Sequence, residues 1–278
     1  MKLDSDLAKD LKEKYNPEGS LLRRSQMRMF EMLVFIDKIC KDNNLSYWIT
    51  TGTLLGAFRH QGFIPWDDDA DICMPYKDAL KLKELLINNN MSSEFVLQCR
   101  ETDEGYFGPW LILRDLKSEY IQNSKLHNKR KYRGLQVDIF VMEDKVSFPF
   151  LYVSRQLQRL IDKPLLVFDS LIFSKLFVMP LYFFTYKIVV PLFRLLNPKK
   201  DYLTMPYGTM WYYKLHKKYI YPLKTHVFEG YELSVPNNSD AYLSVIYGDW
   251  REVPENIHTH QADIIIFDKR NEIIDNSM

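Results

Sequence analysis

The chain has 278 residues, and its 37 Lys and Arg side chains nearly balance 36 Asp and Glu side chains. A net charge near +1 gives no support for nucleic-acid binding by bulk electrostatics, and the length suits one large domain or a core with an insertion. Three scattered cysteines without Cys-x-x-Cys spacing predict a reducing compartment and no structural zinc. The charged and polar first fourteen residues do not read as a secretory signal peptide, so we expect a cytoplasmic location.

The first part of the chain predicts helices and strands in alternation. Apolar residues at helical spacing predict a helix over residues 20–44. A β-rich run at residues 47–51 follows, and the apolar residues 72–74 predict a second strand that Pro75 stops. Residues 78–90 then predict another helix.

The segment that joins the two strands is the most informative one. It reads Gly52-Thr53-Leu54-Leu55-Gly56-Ala57-Phe58-Arg59-His60-Gln61-Gly62-Phe63-Ile64-Pro65-Trp66-Asp67-Asp68-Asp69-Ala70-Asp71. In an extended strand, residues two apart share a face, so Asp69 and Asp71 are expected side by side while Ala70 and Ile72 face a core. Adjacent carboxylates repel each other, and such hard oxygen ligands suit Mg²⁺ or Mn²⁺ shared with substrate phosphates. An acidic surface turn or a calcium loop is the alternative, although the residue order of an EF-hand is absent.

Asp138 is the candidate for a third carboxylate. Residues 135–141 alternate, with Leu135, Val137 and Ile139 on one face of a predicted strand and Asp138 on the other. A lone acid in an apolar strand is costly unless it is paired or bound to a metal; a satisfied edge-strand aspartate is the alternative. With further short strands predicted over residues 94–100 and 110–114, the pattern indicates an α/β or α+β sheet core.

Residues 148–196 differ in kind, because apolar and aromatic side chains dominate them. The longest uncharged run, residues 176–186, is about half of the roughly 20 residues that a membrane-spanning helix needs. A buried helical subdomain and a helical hairpin lying in a membrane interface both fit. The many aromatic and few charged residues favour the membrane.

The last third of the chain returns to α+β character. Residues 226–233 predict a β-hairpin, and a short helix is expected to end at Gly248. We therefore expect a catalytic core over residues 1–145, an apolar helical insertion over residues 146–200, and an α+β part over residues 201–278 that completes the core.

A Gly-Thr turn, a paired Asp-x-Asp strand and a third acid on a later strand resemble the nucleotidyltransferase superfamily, of which polymerase β is the familiar member. More closely, residues 52–71 resemble the LicD family signature, Gly-[Ser/Thr]-Leu-Leu-Gly-Ala, then Arg-His, then Gly-Phe-Ile-Pro-Trp-Asp-Asp-Asp-x-Asp. The likeness extends to Val137-Asp138-Ile139-Phe140, Phe228-Glu229-Gly230 and Tyr247-Gly248-Asp249-Trp250. It covers most of the chain outside the insertion and implies an α+β, polymerase β-type mixed sheet flanked by helices.

The resemblance implies transfer of a phospho-alcohol to a sugar. The donor would be CDP-choline, which gives phosphocholine on a surface glycan such as lipopolysaccharide or teichoic acid, or else CDP-ribitol or CDP-glycerol. Acceptors on polyprenyl lipid carriers occur in the family and would fit an insertion that lies on a membrane. We therefore expect a peripheral protein at the inner face of the cell membrane, with no nucleic-acid partner.

In this mechanism Asp69 and Asp71 would hold Mg²⁺ or Mn²⁺ against the donor diphosphate. Asp138 would complete the metal site or accept the proton of the attacking sugar hydroxyl. Such transfer relies mainly on positioning and charge stabilisation. Asp67 and Asp68 are expected to orient the loop or to lie behind the metal ligands and support them.

Five further residues are candidates for binding substrate. Gly52 and Thr53 would let backbone N–H groups approach phosphate closely. Arg59, His60 and Arg114 are candidate phosphate contacts, with a structural role as the alternative for His60.

Weaker signals stay open at this point. The Lys129-Arg130-Lys131 cluster fits a phosphate site or, more simply, a solvated basic face. A choline donor would need an aromatic cage, for which Tyr47, Trp48, Tyr106 and Trp110 are candidates that core packing explains better. His258 and His260 lie where the family usually carries basic residues, although the local sequence departs from the family's pattern.

Two other functions compete with this prediction. A nucleotidyltransferase that attaches the NMP itself would release pyrophosphate rather than CMP. A membrane-bound scaffold with a vestigial site is the non-enzyme alternative.

Overall fold

The structure is a computed structural model and describes residues 5–89, 91–121, 124–168, 171–254, 257 and 263–266. The helices of this part of the chain are α1 Ser5–Tyr15, α2 Leu21–Asp42, α3 Thr51–Arg59, α4 Tyr76–Asn88, α5 Lys125–Asn128, α6 Phe148–Val167, α7 Leu171–Phe173, α8 Met179–Phe183, α9 Val190–Leu196, α10 Lys217–Ile220 and α11 Ser239–Tyr247. The strands are β1 Trp48–Ile49, β2 Asp71–Pro75, β3 Phe95–Gln98, β4 Leu111–Asp115, β5 Ser118–Ile121, β6 Gln136–Met142, β7 Tyr202–Leu203, β8 Leu215–His216, β9 Lys224–Phe228, β10 Tyr231–Val235 and β11 Asp263–Ile266.

A five-stranded mixed sheet in the order β1-β2-β6-β4-β3 forms the centre of the molecule. β2 and β6 run parallel, and the other neighbours in the sheet are antiparallel. Helices α2, α3 and α4 pack against these strands. The predicted α+β class with a mixed sheet flanked by helices is confirmed, and the arrangement is compatible with a nucleotidyltransferase-like fold.

Local sequence signals account for the long helices. The side chain of Ser20 caps α2 by accepting a hydrogen bond from the Arg23 N–H, and Asn43 ends the helix, close to the predicted bounds. Apolar side chains on one stripe of α2, among them Met29 and Leu33, are fully buried in the main core. This stripe is what places α2 against the sheet.

The C-terminal elements pack into the same core. The predicted hairpin is formed by β9 and β10, and its two turn residues, Glu229 and Gly230, both have positive φ, as a tight two-residue turn requires. Phe228, Leu233 and Tyr242 are fully buried beside the side chains of the sheet. The bounds of the three expected parts of the chain remain a prediction.

The apolar segment forms α6 and then one helical run from Leu171 to Leu196, in which Ser174–Val178 and Phe184–Val189 are π-helical. Each π-helical stretch precedes a proline, Pro180 or Pro191, which lacks the N–H that a regular α-helix would use.

The inner side of this run packs in two small cores, around Ile161 and around Phe193. Its outer side is exposed, with 63% of Phe177 and 78% of Leu195 accessible to solvent. Among the described residues, Leu176–Leu196 is one helix whose length and composition would allow it to cross a membrane. Because the run packs on one side only, a fully buried subdomain does not describe it.

Candidate active site

Asp71 and Asp138 lie side by side on neighbouring strands. Asp71 is the first residue of β2, and it pairs in register with Asp138 of the parallel strand β6. The Asp138 N–H donates to the carbonyl oxygen of Ala70 at 2.9 Å, which fixes this register. Both carboxylates are buried. The structure thus brings the candidate third carboxylate next to the Asp-x-Asp pair.

A cleft of about 710 Å³ opens beside the start of β2. Asp67, Asp69 and Asp71 line it, together with Tyr247 and Arg59. Asp69 precedes the strand, so its place in the cleft comes from the loop and not from the expected strand alternation.

The roles of the two remaining acids differ. Asp67 reaches the cleft and shares a hydrogen bond with Asp69, a placement that the sequence did not predict. Asp68 is buried outside the cleft lining and accepts a hydrogen bond from the Tyr120 hydroxyl at 2.7 Å. Asp68 therefore orients the loop, and Asp67 adds a carboxylate to the site.

Burial and mutual repulsion raise the pKa of these acids. Burial raises the pKa of Asp71 well above its usual value, and the charges of Asp69 and Asp138 raise it further. Burial likewise raises the pKa of Asp67, with Asp69 as the next cause. The pKa of Asp138 rises to about 6, because burial outweighs the opposing charge of Arg114. A cluster with these properties favours protons or a cation.

The predicted glycine turn is wrong, because these residues form helix α3. Leu54 and Ala57 are buried in the core, and this apolar side outweighs the turn preference of Gly52. Gly52 and Thr53 therefore lie in the first turn of a helix, where backbone N–H groups have no partner within the helix. A Cβ on Gly52 would lie 2.5 Å from Asp67 Oδ2, so the glycine also allows that carboxylate to approach α3.

Two threonines of α3 hold Asp71. The Thr53 hydroxyl accepts a hydrogen bond from the Asp71 N–H at 2.8 Å. The Thr51 hydroxyl donates to Asp71 Oδ2, and Thr51 has a φ of +45°, a strained conformation for a β-branched residue. The hydrogen bond from Thr51 to Asp71 was not predicted, since a threonine just before a helical segment more commonly caps the helix.

The loop that carries the acids is anchored to α2 and to the C-terminal hairpin. Gln26 donates from Nε2 to the carbonyl oxygens of Ile64 and Asp67 at 3.1 and 2.9 Å. Glu229 accepts from the Phe63 N–H at 3.1 Å and forms a two-bond ion pair with Arg23 at 2.8 and 2.7 Å. These contacts fix the approach of the loop to the cleft from elements far apart in the sequence.

Arg59 and His60 have different places. Arg59 lines the cleft, but it donates from Nη1 to the carbonyl oxygens of Trp250 and Glu252 and from Nε to His60. Its Nη2 makes no hydrogen bond to any residue that the structure describes. His60 is buried outside the cleft lining, and burial lowers its pKa to about 3. The structural alternative for His60 therefore fits, whereas a phosphate contact does not.

Arg114 does not reach the acidic cleft. It is fully buried on β4, where Nε donates to Gln98 and Nη1 to the Gly134 carbonyl oxygen, both at 2.8 Å. Its Nη2 is buried without a hydrogen-bond partner, and its charge acts on Asp138. Arg114 therefore supports Asp138 from inside the sheet, and its predicted role as a direct phosphate contact is corrected.

Three of the four aromatic candidates for a choline cage lie in the protein core. Tyr47 and Trp48 are buried in the core and donate to Asp37 and Tyr242. Tyr106 is buried too and donates to the Trp110 carbonyl oxygen. Packing explains these three aromatic residues. His258 and His260 lie outside the described residues.

A divalent cation fits the chemistry of this cleft. Buried acids raise one another's pKa, and Asp138 Oδ1 is buried without a hydrogen-bond partner. Within the described ranges, no three His, Cys, Asp or Glu side chains form a ready ligand set. Mg²⁺ commonly uses one or two protein carboxylates and completes its shell with water and substrate phosphates.

Comparison with known proteins assigns the class of this domain. Residues 44–154 match the nucleotidyltransferase domain described as LicD/FKTN/FKRP. The chain therefore contains a LicD family domain, as the resemblance predicted. The match includes Asp69, Asp71 and Asp138.

Individual relatives extend the similarity. The chain is 24% identical over 259 residues to the lipopolysaccharide cholinephosphotransferase LicD of Haemophilus influenzae. The aligned region covers 84% of this chain and 92% of that protein. It is 36% identical over 152 residues to an uncharacterized protein of Rickettsia prowazekii, with 49% of this chain and 56% of the relative covered. The chain thus spans about half the length of the Rickettsia relative and most of the Haemophilus one.

Proposed function

We propose that the protein transfers a phospho-alcohol, first of all phosphocholine from CDP-choline, to a sugar hydroxyl of a cell-surface glycan or its lipid-linked precursor. The observation that carries the proposal is the convergence of Asp67, Asp69, Asp71 and Asp138 beside the amino terminus of α3. The family domain and the cholinephosphotransferase relative support transferase activity of this kind.

In the proposed reaction, the oxygen of the sugar hydroxyl attacks the donor phosphorus that carries the alcohol. The bond from that phosphorus to the bridging oxygen of the diphosphate breaks, and CMP leaves. A Mg²⁺ or Mn²⁺ ion held by Asp69 and Asp71 would supply neutralisation of the diphosphate charge when bound. N–H groups at the amino terminus of α3 bind phosphate oxygens, since a helix amino terminus favours anions.

Asp138 takes the proton of the attacking hydroxyl at Oδ1. This oxygen is buried and makes no hydrogen bond to a described residue, whereas Oδ2 accepts from Gln136 at 3.3 Å. A pKa of about 6 suits a general base that works near neutral pH.

The lining of the acidic cleft supports a cationic alcohol. Trp66, Tyr247 and Trp250 line it together with the carboxylates, and aromatic faces with nearby negative charge attract a quaternary ammonium group. Replacing Tyr247 by Ala should raise the KM for CDP-choline by about 3- to 30-fold and leave that for CDP-glycerol nearly unchanged. An equal rise in KM for both donors would show that Tyr247 does not recognise choline.

The proposal is tested by a donor screen with product identification. Purified protein is incubated with Mg²⁺ and CDP-choline, CDP-ribitol or CDP-glycerol in the presence of glycan extract, and the nucleotide product is identified by chromatography. We expect CMP, with CDP-choline as the best donor. Pyrophosphate in place of CMP would establish NMP transfer instead.

We also propose that the exposed side of residues 171–196 lies in the membrane interface. Its large apolar side chains include Leu176, Phe177, Ile188 and Leu195, each more than half exposed. In flotation with phospholipid vesicles, the double variant Phe177→Glu/Leu195→Glu should stay with the soluble fraction. Leu80→Glu, at an exposed apolar site on α4, is the matched control and should float like the wild type. Flotation of both variants would contradict the proposal.

A further inference from the structure

A second cavity, of about 330 Å³, lies between the loop before β4 and helix α6. Its lining includes three arginines, Arg130, Arg155 and Arg159, and one carboxylate, Asp162. The formal charge of these four side chains is therefore positive, the opposite of the acidic cleft.

The three arginines have no carboxylate partner at salt-bridge distance among the residues that the structure describes. Arg130 lies over the Tyr106 ring at 5.3 Å, and Arg159 Nη1 is 3.4 Å from the Gln156 side-chain oxygen. The single acid of the lining, Asp162, accepts a hydrogen bond from Gln158 at 2.8 Å. The guanidinium groups thus keep most of their donors for an external anion.

The aromatic wall of the cavity packs against the strand that carries Asp138. Trp110 and Trp211 line the cavity, and their rings lie 5.7 and 6.1 Å from that of Phe140. Phe140 follows Asp138 by two residues on β6, so the two side chains share a face about 7 Å apart along the strand. The charge of Arg130 and the indole N–H of Trp110 also act on Asp138.

Polar atoms without partners surround this junction. Arg114 Nη2 and His127 Nε2 are buried and make no hydrogen bond to a described residue. Unsatisfied buried donors are rare in folded proteins and commonly mark a site that a ligand or water completes.

We propose that this arginine pocket is the acceptor subsite: it binds a phosphate or diphosphate group of the acceptor and so presents the acceptor hydroxyl to Asp138. The inference rests on the proposed function and assigns its second substrate. Guanidinium groups bind phosphate oxygens in pairs, which makes arginine suitable for this task. Three unpaired arginines equally exclude the quaternary ammonium of a choline donor from this cavity.

The assignment accounts for the opposite charges of the two cavities, the acidic cleft and the arginine pocket. In the acidic cleft a bare anion is repelled by carboxylates, so a donor diphosphate can enter only with its cation. A second anionic substrate that arrives without a cation needs positive charge of its own, and the arginine pocket provides it. Asp138 pairs with Asp71 of the acidic cleft and lies two residues from Phe140, which the tryptophans of the arginine pocket contact, so it lies between the two sites where the proton of the acceptor must be removed.

The test measures binding of inorganic pyrophosphate by calorimetry in EDTA, so that no metal recruits the anion to the carboxylates. We expect binding by the wild type and a loss of about tenfold or more in Arg155→Gln/Arg159→Gln. Arg130→Gln should lose pyrophosphate affinity to the same extent. Because Arg130 lies outside α6, this variant shows that the loss does not come from misfolding of α6. Lys163→Gln is the matched control, because it removes an exposed positive charge from α6 outside the pocket, and it should bind like the wild type.

A second arm measures binding of CDP-choline with Mg²⁺. If the pocket serves the acceptor, Arg155→Gln/Arg159→Gln binds CDP-choline as the wild type does. An equal loss of CDP-choline affinity would make the pocket a donor site and overturn the assignment. Undetectable binding of pyrophosphate by the wild type, or unchanged binding in both arginine variants, would overturn it as well. Absence of CMP release with intact pyrophosphate binding would instead count against the proposed function.

Discussion

Replacing Asp138 by Asn should change how the stability of the metal-free protein depends on pH. Burial raises the pKa of Asp138 from 3.8 to about 6, against the opposing charge of Arg114. Because the folded-state pKa lies above the unfolded value, the folded protein holds the proton more tightly. This contribution to stability is complete below about pH 4 and is lost as the pH rises through about 6.

The magnitude follows from the size of the shift. A shift of about two pKa units corresponds to about 3 kcal/mol, and Asp138 as a residue is only 9% exposed, so solvent screening reduces this energy little. Asn keeps the shape of the side chain and cannot ionise. The free energy of unfolding of Asp138→Asn, relative to the wild type, should therefore increase by about 3 kcal/mol between about pH 4 and pH 8.

The assay is urea unfolding in EDTA across that pH range, followed by tryptophan fluorescence. Comparison between pH values cancels any constant effect of the new amide group. Asp162→Asn is the control, because burial raises the pKa of Asp162 to about 6 as well, away from the acidic cleft. Mg²⁺ should reduce the pH-dependent gain of Asp138→Asn and leave that of Asp162→Asn unchanged. A constant stability difference between Asp138→Asn and the wild type at every pH would show that the folded protein does not raise the pKa of Asp138.

Two further predictions concern side chains that position the acids. Thr53→Val removes the hydrogen-bond acceptor of the Asp71 N–H and should cost about 1–3 kcal/mol in urea unfolding, with a lower kcat and little change in the donor KM. Unchanged kcat in Thr53→Val would show that this contact does not position Asp71. Glu229→Gln breaks the ion pair with Arg23 and should cost about 1–3 kcal/mol, with the loop before β2 more accessible to proteolysis. If proteolysis of that loop stayed at the wild-type rate, Glu229 would not be its anchor.

The parts of the fold that the sequence predicted depend on local signals. The stripe of apolar residues and the capping Ser20 mark α2, and alternation marks β6 with Asp138 on the face opposite Val137 and Ile139. Parallel pairing then brings Asp138 beside Asp71, as the constellation of three acids implied.

The parts that escaped prediction depend on distant partners. Glu229 reaches Arg23 across 206 residues of sequence, and no local pattern indicates that contact. The sequence made Arg59 and Arg114 candidate phosphate contacts, yet carbonyl oxygens of other elements bind them in the interior. Asp67 reaches the cleft because Gly52 leaves room for its carboxylate, which only the packed structure reveals.

Metal-dependent phosphocholine transfer is tested most directly by the rate of CMP release from CDP-choline by wild type and Asp71→Asn, each titrated with Mg²⁺. Asn is nearly isosteric and still accepts the hydrogen bond from Thr51, so the variant should fold while losing the negative charge. We expect CMP release that depends on Mg²⁺ in the wild type and a rate lower by about a thousandfold or more in the variant. A wild-type rate in Asp71→Asn, or full activity of the wild type in EDTA, would contradict this expectation.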